Sequence, residues 1–338
     1  MVTRSYGCVP GLPDQRSLLA AAVPGVLVVP AALPSMVDLR SKLGPTYDQD
    51  GIGSCSSNAA AGLFDFNDLK QGLAPFSPSR LATYYWARAM RGWQDSDSGS
   101  VIADNISVLA GNPGAAPEAD WPYDPARFRE APPQRAVNDA RGHQATIYLS
   151  VDGSLDQMRG CLAAGFPFEF GATLYSNFED ANTWRTGDVP EPSGIVVGGH
   201  ALLATGYDDS TQRFRIRNSW GSGWGVGGNG TISYSYLTGG LVFDRWTIRQ
   251  VTGLPMPPDP GDIPQILAVK YKNNSKLIVL GLWQSGSALR IDGNVPNAAV
   301  SPGQFVVKNA GLNAGEHIIT VLGPTGISSL PFLKTVNG

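Results

Sequence analysis

Gln49, Cys55, His200 and Asn218 have the residue types, and stand in the chain order, that acyl transfer by a thiolate requires. Cys55 closes the run Gln49-Asp50-Gly51-Ile52-Gly53-Ser54-Cys55, just ahead of a helix-like stretch. A cysteine attacks a carbonyl as its thiolate, and a free thiol with a pKa near about 8.5 holds little of that form at neutral pH. A helix N-terminus supplies partial positive charge to shift the balance, and a neighbouring imidazolium supplies more. Ser54 can cap a helix beginning at or just after Cys55, since Cys55, Ala59, Gly62-Leu63 and Phe66 recur at helical spacing. Gln49 lies across a Gly-rich loop from Cys55. Its side-chain amide, with the Cys55 backbone N–H, is a pair of donors for a tetrahedral oxyanion; losing one such donor costs on the order of 10²–10³ in rate.

The base and its orienter are read from spacing. His200 follows Gly198-Gly199, Asn218 precedes Ser219-Trp220-Gly221, and Asp208 to Gln212 reads as a turn between them. In an antiparallel hairpin, partner numbers have a constant sum, and the midpoint of His200 and Asn218 is Asp209, inside that turn. Phe214, Ile216 and Asn218 share one strand face, while Arg213, Arg215 and Arg217 share the other. The arginine face is expected to be solvated and Asn218 to point inward. An inward Asn would hold one imidazole nitrogen of His200 and leave the other for Cys55. Trp220 is placed to shield that hydrogen bond from water.

The elements that carry these residues fall into two halves. Helices are expected over Leu81 to Met90, Ser100 to Ala110 and Leu155 to Ala164, besides the one at Cys55. Strands are expected over Phe166 to Leu174, Ala201 to Tyr207, Arg213 to Asn218, Gly230 to Tyr236 and Arg245 to Val251. Helices first and sheet second indicate an α+β fold with two lobes. Residues 1–36, rich in Pro and Ala, form an N-terminal extended segment, and Val37-Asp38-Leu39-Arg40 opens the main domain, 37–253. Residues 254–262 are a Pro-rich linker. Residues 263–338 read as a small β-sandwich, with strands over Lys276 to Leu280, Ala288 to Ile291, Gln304 to Lys308 and His317 to Val321, and a hairpin signal at Asp292-Gly293.

Composition sets the outer bounds. The chain has 338 residues, 42% hydrophobic and 16% charged, with 41 Gly and 26 Pro, which suits a strand- and loop-rich globular protein. A net charge of −3 without a basic cluster argues against a nucleic-acid partner. Three cysteines make no disulfide framework; with Cys55 free, only Cys8 and Cys161 remain to pair, and free buried thiols are the expectation. No His/Cys cluster has metal-ligand spacing, so no metal or other cofactor is expected; His143 and His317 are read as surface or core residues. Leu18 to Leu33 is apolar but broken by Pro24-Gly25 and Pro30, too short for a membrane span. Gly11 to Arg16 does not supply the basic start of a signal peptide, so the localisation expected is either secretion by a non-Sec route or the cytoplasm.

Gln-x-Gly-x-x-Ser-Cys, Gly-His-Ala and Arg-Asn-Ser-Trp-Gly-x-x-Trp-Gly together resemble the papain-like cysteine peptidases over Val37 to Val251. The resemblance implies a two-lobed α+β fold with the site in the cleft. By it Cys55 is the nucleophile, His200 the general acid/base, Asn218 the orienter and Gln49 the oxyanion donor; the substrates are proteins or peptides. Gly99 and Ser100, with Gly199 and Trp220, take substrate-binding positions. Ser56 stands where Trp usually follows the nucleophile, and the disulfides of secreted members are missing. With Trp121-Pro122-Tyr123-Asp124, these departures resemble a bacterial branch. Zymogens are common in this family. At about 3.3 Å per extended residue the first 36 residues can reach across a cleft, so they are expected to cover it. Residues Ile263 to Val336 resemble Ig-like modules of the IPT/TIG type, which implies a surface or protein ligand. The competing readings are a catalytically silent papain-like binding or adhesion protein acting through that module, and transpeptidation or cell-wall amide hydrolysis.

Overall fold

The computed structural model describes residues 4–11 and 32–252, apart from 75, and in the C-terminal part 265–272, 276–282, 287–301, 304–308, 310–322 and 332–336. Two compact units divide at Leu254.

The first unit opens with a short strand, β1 (Cys8–Val9), then β2 (Met36–Asp38) and α1 (Cys55–Gln71). There follow α2 (Arg80–Ala89), β3 (Ser100–Val101), α3 (Ile102–Leu109), α4 (Gln134–Ala140), β4 (Ala145–Ser150) and α5 (Leu155–Ala163). The unit ends with β5 (Phe168–Tyr175), α6 (Ala181–Thr186), β6 (Val196–Asp208), β7 (Arg213–Arg217), β8 (Asn229–Ser233), α7 (Tyr234–Thr238) and β9 (Val242–Val251). Six strands run in the order β4-β9-β5-β6-β7-β8, all neighbours antiparallel, and β2 adds to β6. Helices expected at residues 81, 100 and 155 are present with ends shifted by a residue or two, and Ser100–Val101 is strand. Tyr234–Thr238, expected to finish a strand, is helical because Ser233 Oγ accepts the Tyr236 N–H and caps it. α4, α6 and β4 were not anticipated; the first two are too short to show a helical period.

α1 sits between the two lobes. Its residues Ala59, Ala60 and Leu63 form one core with Ile102, Ile106, Ala201, Leu203 and Ile248. Gly62 lets the helix approach β6, since a Cβ there would lie 2.8 Å from Leu203 Cδ1. A second core, on the other face of the sheet, gathers Phe168, Phe170, Phe214 and Ile216 with Trp220 and Trp224. α2 packs its Leu81, Ala82 and Tyr84 with Trp121, Ala136 and Ala140. Cys8, Cys55 and Cys161 are all free and buried.

The second unit has two sheets. One is β10 (Gln265–Lys272), β11 (Lys276–Leu282), β14 (Gln304–Lys308) and β13 (Ala298–Ser301), in that order; the other is β12 (Ala288–Ile291), β15 (Gly315–Leu322) and β16 (Phe332–Val336). Leu277, Val279, Leu289, Phe305, Ile319 and Val321 form its core. Asp292 and Gly293 do turn, with φ of 48° and 82°, but β12 then pairs with β15, while β13 joins the other sheet. The Asp-Gly turn closes a minimal two-residue hairpin, in which Ile291 and Asn294 exchange both backbone hydrogen bonds at 2.9 Å, and the chain then crosses to the other sheet. Expectations for residues 12–31 and for the linker at 254–262 fall outside the described residues. No helix among the described residues is long and apolar enough to cross a membrane.

Candidate active site

α1 begins at Cys55 itself, with Ser54 at the N-cap position. Ser54 does not cap through its side chain. Its Oγ lies 2.5 Å from Tyr123 Oη and accepts from Asn58 Nδ2 at 3.0 Å. The free N–H groups of the first turn therefore keep their positive end directed at the thiol.

His200 lies in β6 opposite Ala172 of β5. One of its ring nitrogens, Nε2, is 2.8 Å from Asn218 Oδ1, and Nδ1 is buried without a hydrogen-bond partner. The contact forms by a different route from the one the hairpin arithmetic implied. Paired numbers in β6 and β7 sum to 420 and, past a bulge between Ala204 and Gly206, to 421, against the 418 that would set His200 directly opposite Asn218. The bulge inserts a residue, and Asn218 lies just past β7, held by its N–H to Gly228 O at 2.9 Å. The two side chains meet diagonally. Asn218 does point inward, at 2% exposure, with Phe214 and Ile216 buried on the same face. The arginine face is only half solvated: Arg213 donates to Val189 O and Thr231, Arg215 pairs with Asp208, and Arg217 donates to Gly44 O.

Trp220 covers the pair. Its ring centroid is 5.2 Å from that of His200, and Phe178, Trp184 and Trp224 close around it at 5.2, 5.6 and 6.4 Å. Phe178 and Trp184 were not singled out from the sequence for this role. A cavity of about 20 Å³, lined in part by Asn58, Gly62, Arg217 and Asn218, lies behind Asn218 and not over Cys55.

The groove over Cys55 is filled by residues 4–11. Arg4 pairs with Asp48 and sits 6.0 Å from the Trp184 and Trp220 ring centroids. Ser5 O accepts from Gln49 Nε2 at 2.9 Å; the same nitrogen also donates to Ile52 O, and Ser219 Oγ donates to Gln49 Oε1 at 2.7 Å. Tyr6 packs edge-on to His200 with centroids 5.8 Å apart, and its hydroxyl donates to Glu179 at 2.6 Å. Gly7 O accepts from Ser100 N at 2.8 Å, and β1 pairs in parallel with β3. A Cβ on Gly7 would lie 1.8 Å from Gly53 O, and one on Gly99, whose φ is 73°, 2.2 Å from Gly7 O. A Cβ on Gly199 would lie 2.1 Å from Cys8 O. Gly99, Ser100, Gly199 and Trp220 thus all line the occupied groove.

Electrostatics follow the filling. Cys55 is fully buried, and burial pushes its thiol up to about 11; hydrogen bonds from the Ala201, Gly7 and Ser56 N–H groups oppose this. Burial pushes His200 down to about 4, against the Asn218 hydrogen bond and with help from Arg4. Both groups are neutral near pH 7 while residues 4–11 are in place.

Several known proteins share this arrangement of chain. The model of the papain family cysteine proteases matches residues 33–238. The uncharacterized peptidase C1-like protein L477 of Acanthamoeba polyphaga mimivirus is 30% identical, over 74% of this chain and 88% of its own length. Cathepsin B-like CP3 of Giardia intestinalis is 28% identical over 62% of this chain and 72% of its own. The crystal structure of xylellain, a cysteine protease from Xylella fastidiosa, superposes with a TM-score of 0.66 at 35% identity, covering 74% of this chain and 98% of that one. The two-lobed α+β unit built around Cys55 and His200 belongs to the papain family of cysteine proteases.

Proposed function

We propose that the chain is a cysteine endopeptidase that works through Cys55, His200 and Asn218, with Gln49 as oxyanion donor, and that residues 4–11 keep it latent. The observation that carries the reading is the His200 ring, held at Nε2 by Asn218 and bare at Nδ1, beside a strand N–H (Ala201) that hydrogen-bonds the Cys55 sulfur. With the groove vacated, water and the α1 N-terminus favour thiolate and imidazolium over the neutral pair. The thiolate attacks a peptide carbonyl. Gln49 Nε2, which serves the Ser5 carbonyl in the closed chain, turns to the developing oxyanion. Imidazolium gives its proton to the leaving amine and the peptide's C-terminal half departs. His200 then takes a proton from water, which attacks the acyl-enzyme and releases the acid.

The segment runs parallel to β3, makes backbone contacts over the groove and carries one charge, Arg4, which pairs with Asp48. The parent and a Cys55→Ala variant, assayed on casein and on peptides, decide the central claim. The variant should lose about 10³-fold or more in kcat/KM and keep its melting temperature. Hydrolysis at the parental rate would remove Cys55 as nucleophile. We further propose that the C-terminal unit is the Ig-like module its sequence resembles, binding a surface or protein ligand while the first unit does the chemistry. All four reactive groups being intact disfavours a silent binding protein.

A further inference from the structure

We infer that Tyr123 is a positioning residue for the oxyanion donor: it completes a one-way chain of hydrogen bonds, from Asn58 through Ser54 to the Gln49 carbonyl, that sets where the Gln49 amide stands. The inference rests on the peptidase reading above and adds the residues that hold its donor and its helix start in register.

The direction of the chain follows from counting protons. A carbonyl only accepts, so Tyr123 Oη gives its single proton to Gln49 O, at 2.8 Å. Ser54 Oγ lies 2.5 Å from the same Oη and must therefore donate to it. Asn58 Nδ2 in turn donates to Ser54 Oγ at 3.0 Å and to Ser54 O at 2.9 Å. Asn58 Oδ1 accepts from Arg80 Nη1 at 3.2 Å, which fixes the way the Asn58 amide faces. The Arg80 guanidinium lies 4.1 Å from the Tyr123 ring centroid and pairs with Glu118, which also accepts the Tyr123 N–H at 2.9 Å. Gln49, Ser54 and Asn58 are buried, where a hydrogen bond is electrostatically stronger than in water. Burial also pushes the Tyr123 phenol up to about 12, against the Ser54 and Asn58 hydrogen bonds, so near neutral pH it keeps the proton it donates.

Two features of the loop make this hold matter. Gln49 precedes Asp50, whose φ of 55° is uncommon for a residue with a side chain. Such a conformation persists where its surroundings over-determine it. Here the Gln49 N–H goes to Ser219 O at 2.8 Å and the Gln49 carbonyl to Tyr123, so the side-chain amide leaves a main chain held on both sides. The second feature is Ser54, which stands at the N-cap of α1 and caps none of its N–H groups. With its hydroxyl engaged by Asn58 and Tyr123, Ser54 is withheld from the helix whose first turn faces Cys55. One phenol thus touches both the residue that bears the donor and the residue before the nucleophile.

The test compares kcat and KM of full-length variants on one peptide substrate. Tyr123→Phe keeps the ring against Arg80 and removes only the hydroxyl. It should lower kcat about tenfold with KM within about twofold of the parent, because a misplaced donor matters most as charge develops on oxygen. Ser54→Ala breaks the chain one link earlier and should give the same split, about threefold in kcat. In a Gln49→Ala background each substitution should change kcat by less than about twofold, since the donor it positions is gone. A purely structural role predicts the same loss with and without Gln49, so additive effects overturn the assignment. A parental kcat in Tyr123→Phe, or a loss confined to KM, overturns it as well and leaves the peptidase standing. If Tyr123→Phe does not fold, the Ser54→Ala and Gln49→Ala pair decides by the same criteria. A parent whose Cys55 never reacts with a vinyl-sulfone probe removes the peptidase reading and the positioning role with it.

Discussion

In the proposed mechanism His200 and Cys55 carry the chemistry at the scale of single residues. In the closed chain the thiol sits at about 11 and the imidazole at about 4, both because burial penalises charge. The thiolate fraction near pH 7 is then on the order of 10⁻⁴ and grows about tenfold per pH unit. Alkylation of Cys55 in the intact protein should follow that slope from pH 6 to about 10. A plateau beginning near pH 7 would mean that the ion pair already exists with residues 4–11 in place. Gln49 makes the second prediction at this scale. Gln49→Ala should lower kcat by about 10²–10³ with a smaller change in KM, because its donor matters most when charge develops on oxygen. An equal rise in KM with kcat unchanged would assign Gln49 to ground-state binding.

At the scale of elements, the fit of β1 in the groove depends on an absent side chain. Gly7 passes so close to Gly53 that a Cβ would overlap its carbonyl oxygen at 1.8 Å. Gly7→Val should therefore expel the segment and speed Cys55 labelling at least about tenfold, with little loss of melting temperature. Unchanged labelling would show that residues 4–11 do not limit access. α1 carries a different cost. Asp68 is buried on this helix with no partner on either oxygen, and burial with Asp65 nearby pushes it from 3.8 up to about 8. Its folded value is raised, so the protonated form is favoured in the fold. Its contribution is intact below about pH 4 and is lost as pH rises toward 8. Asp68→Asn should raise Tm by a few degrees at pH 8 and leave it nearly unchanged at pH 4. A gain of the same size at both pH values would point to packing and not to charge.

For the molecule as a whole, the chain divides after Leu254 into two compact units, and each has its own core. A chain ended after Leu254 should label at Cys55 within about twofold of the full chain, since each core is complete without the other. Insoluble or unreactive protein would make the C-terminal unit part of the first unit's fold. The first unit itself shows why the site lies where it does. α1 presents its N-terminus at the edge of the lobe it packs in, and β6 brings His200 from the sheet, so the proposed catalytic pair straddles the seam between helices and strands.

Periodicity and motif spacing were enough to single out Gln49, Cys55, His200 and Asn218 as candidates, and to give the helix behind the thiol and the helical-then-sheet order of the first unit. These are legible because local rules govern them: a helix start, strand alternation, a turn of Gly and Asp. The sequence also marked Gly99, Ser100 and Gly199, although only as positions. Tertiary structure alone decided the rest. The bulge at Ala204 reset the hairpin register, and no local pattern announces an inserted residue. The Tyr6 and Trp184 rings reach the site from distant segments, and a contact across 194 residues leaves no period to read. Glu169 had one faint signal, a lone carboxyl inside the apolar run Phe168 to Leu174. That it lies fully buried and unpartnered between Leu203 and Trp246 depends on β5, β6 and β9 coming together, which is a property of the packed chain and of no single stretch of it.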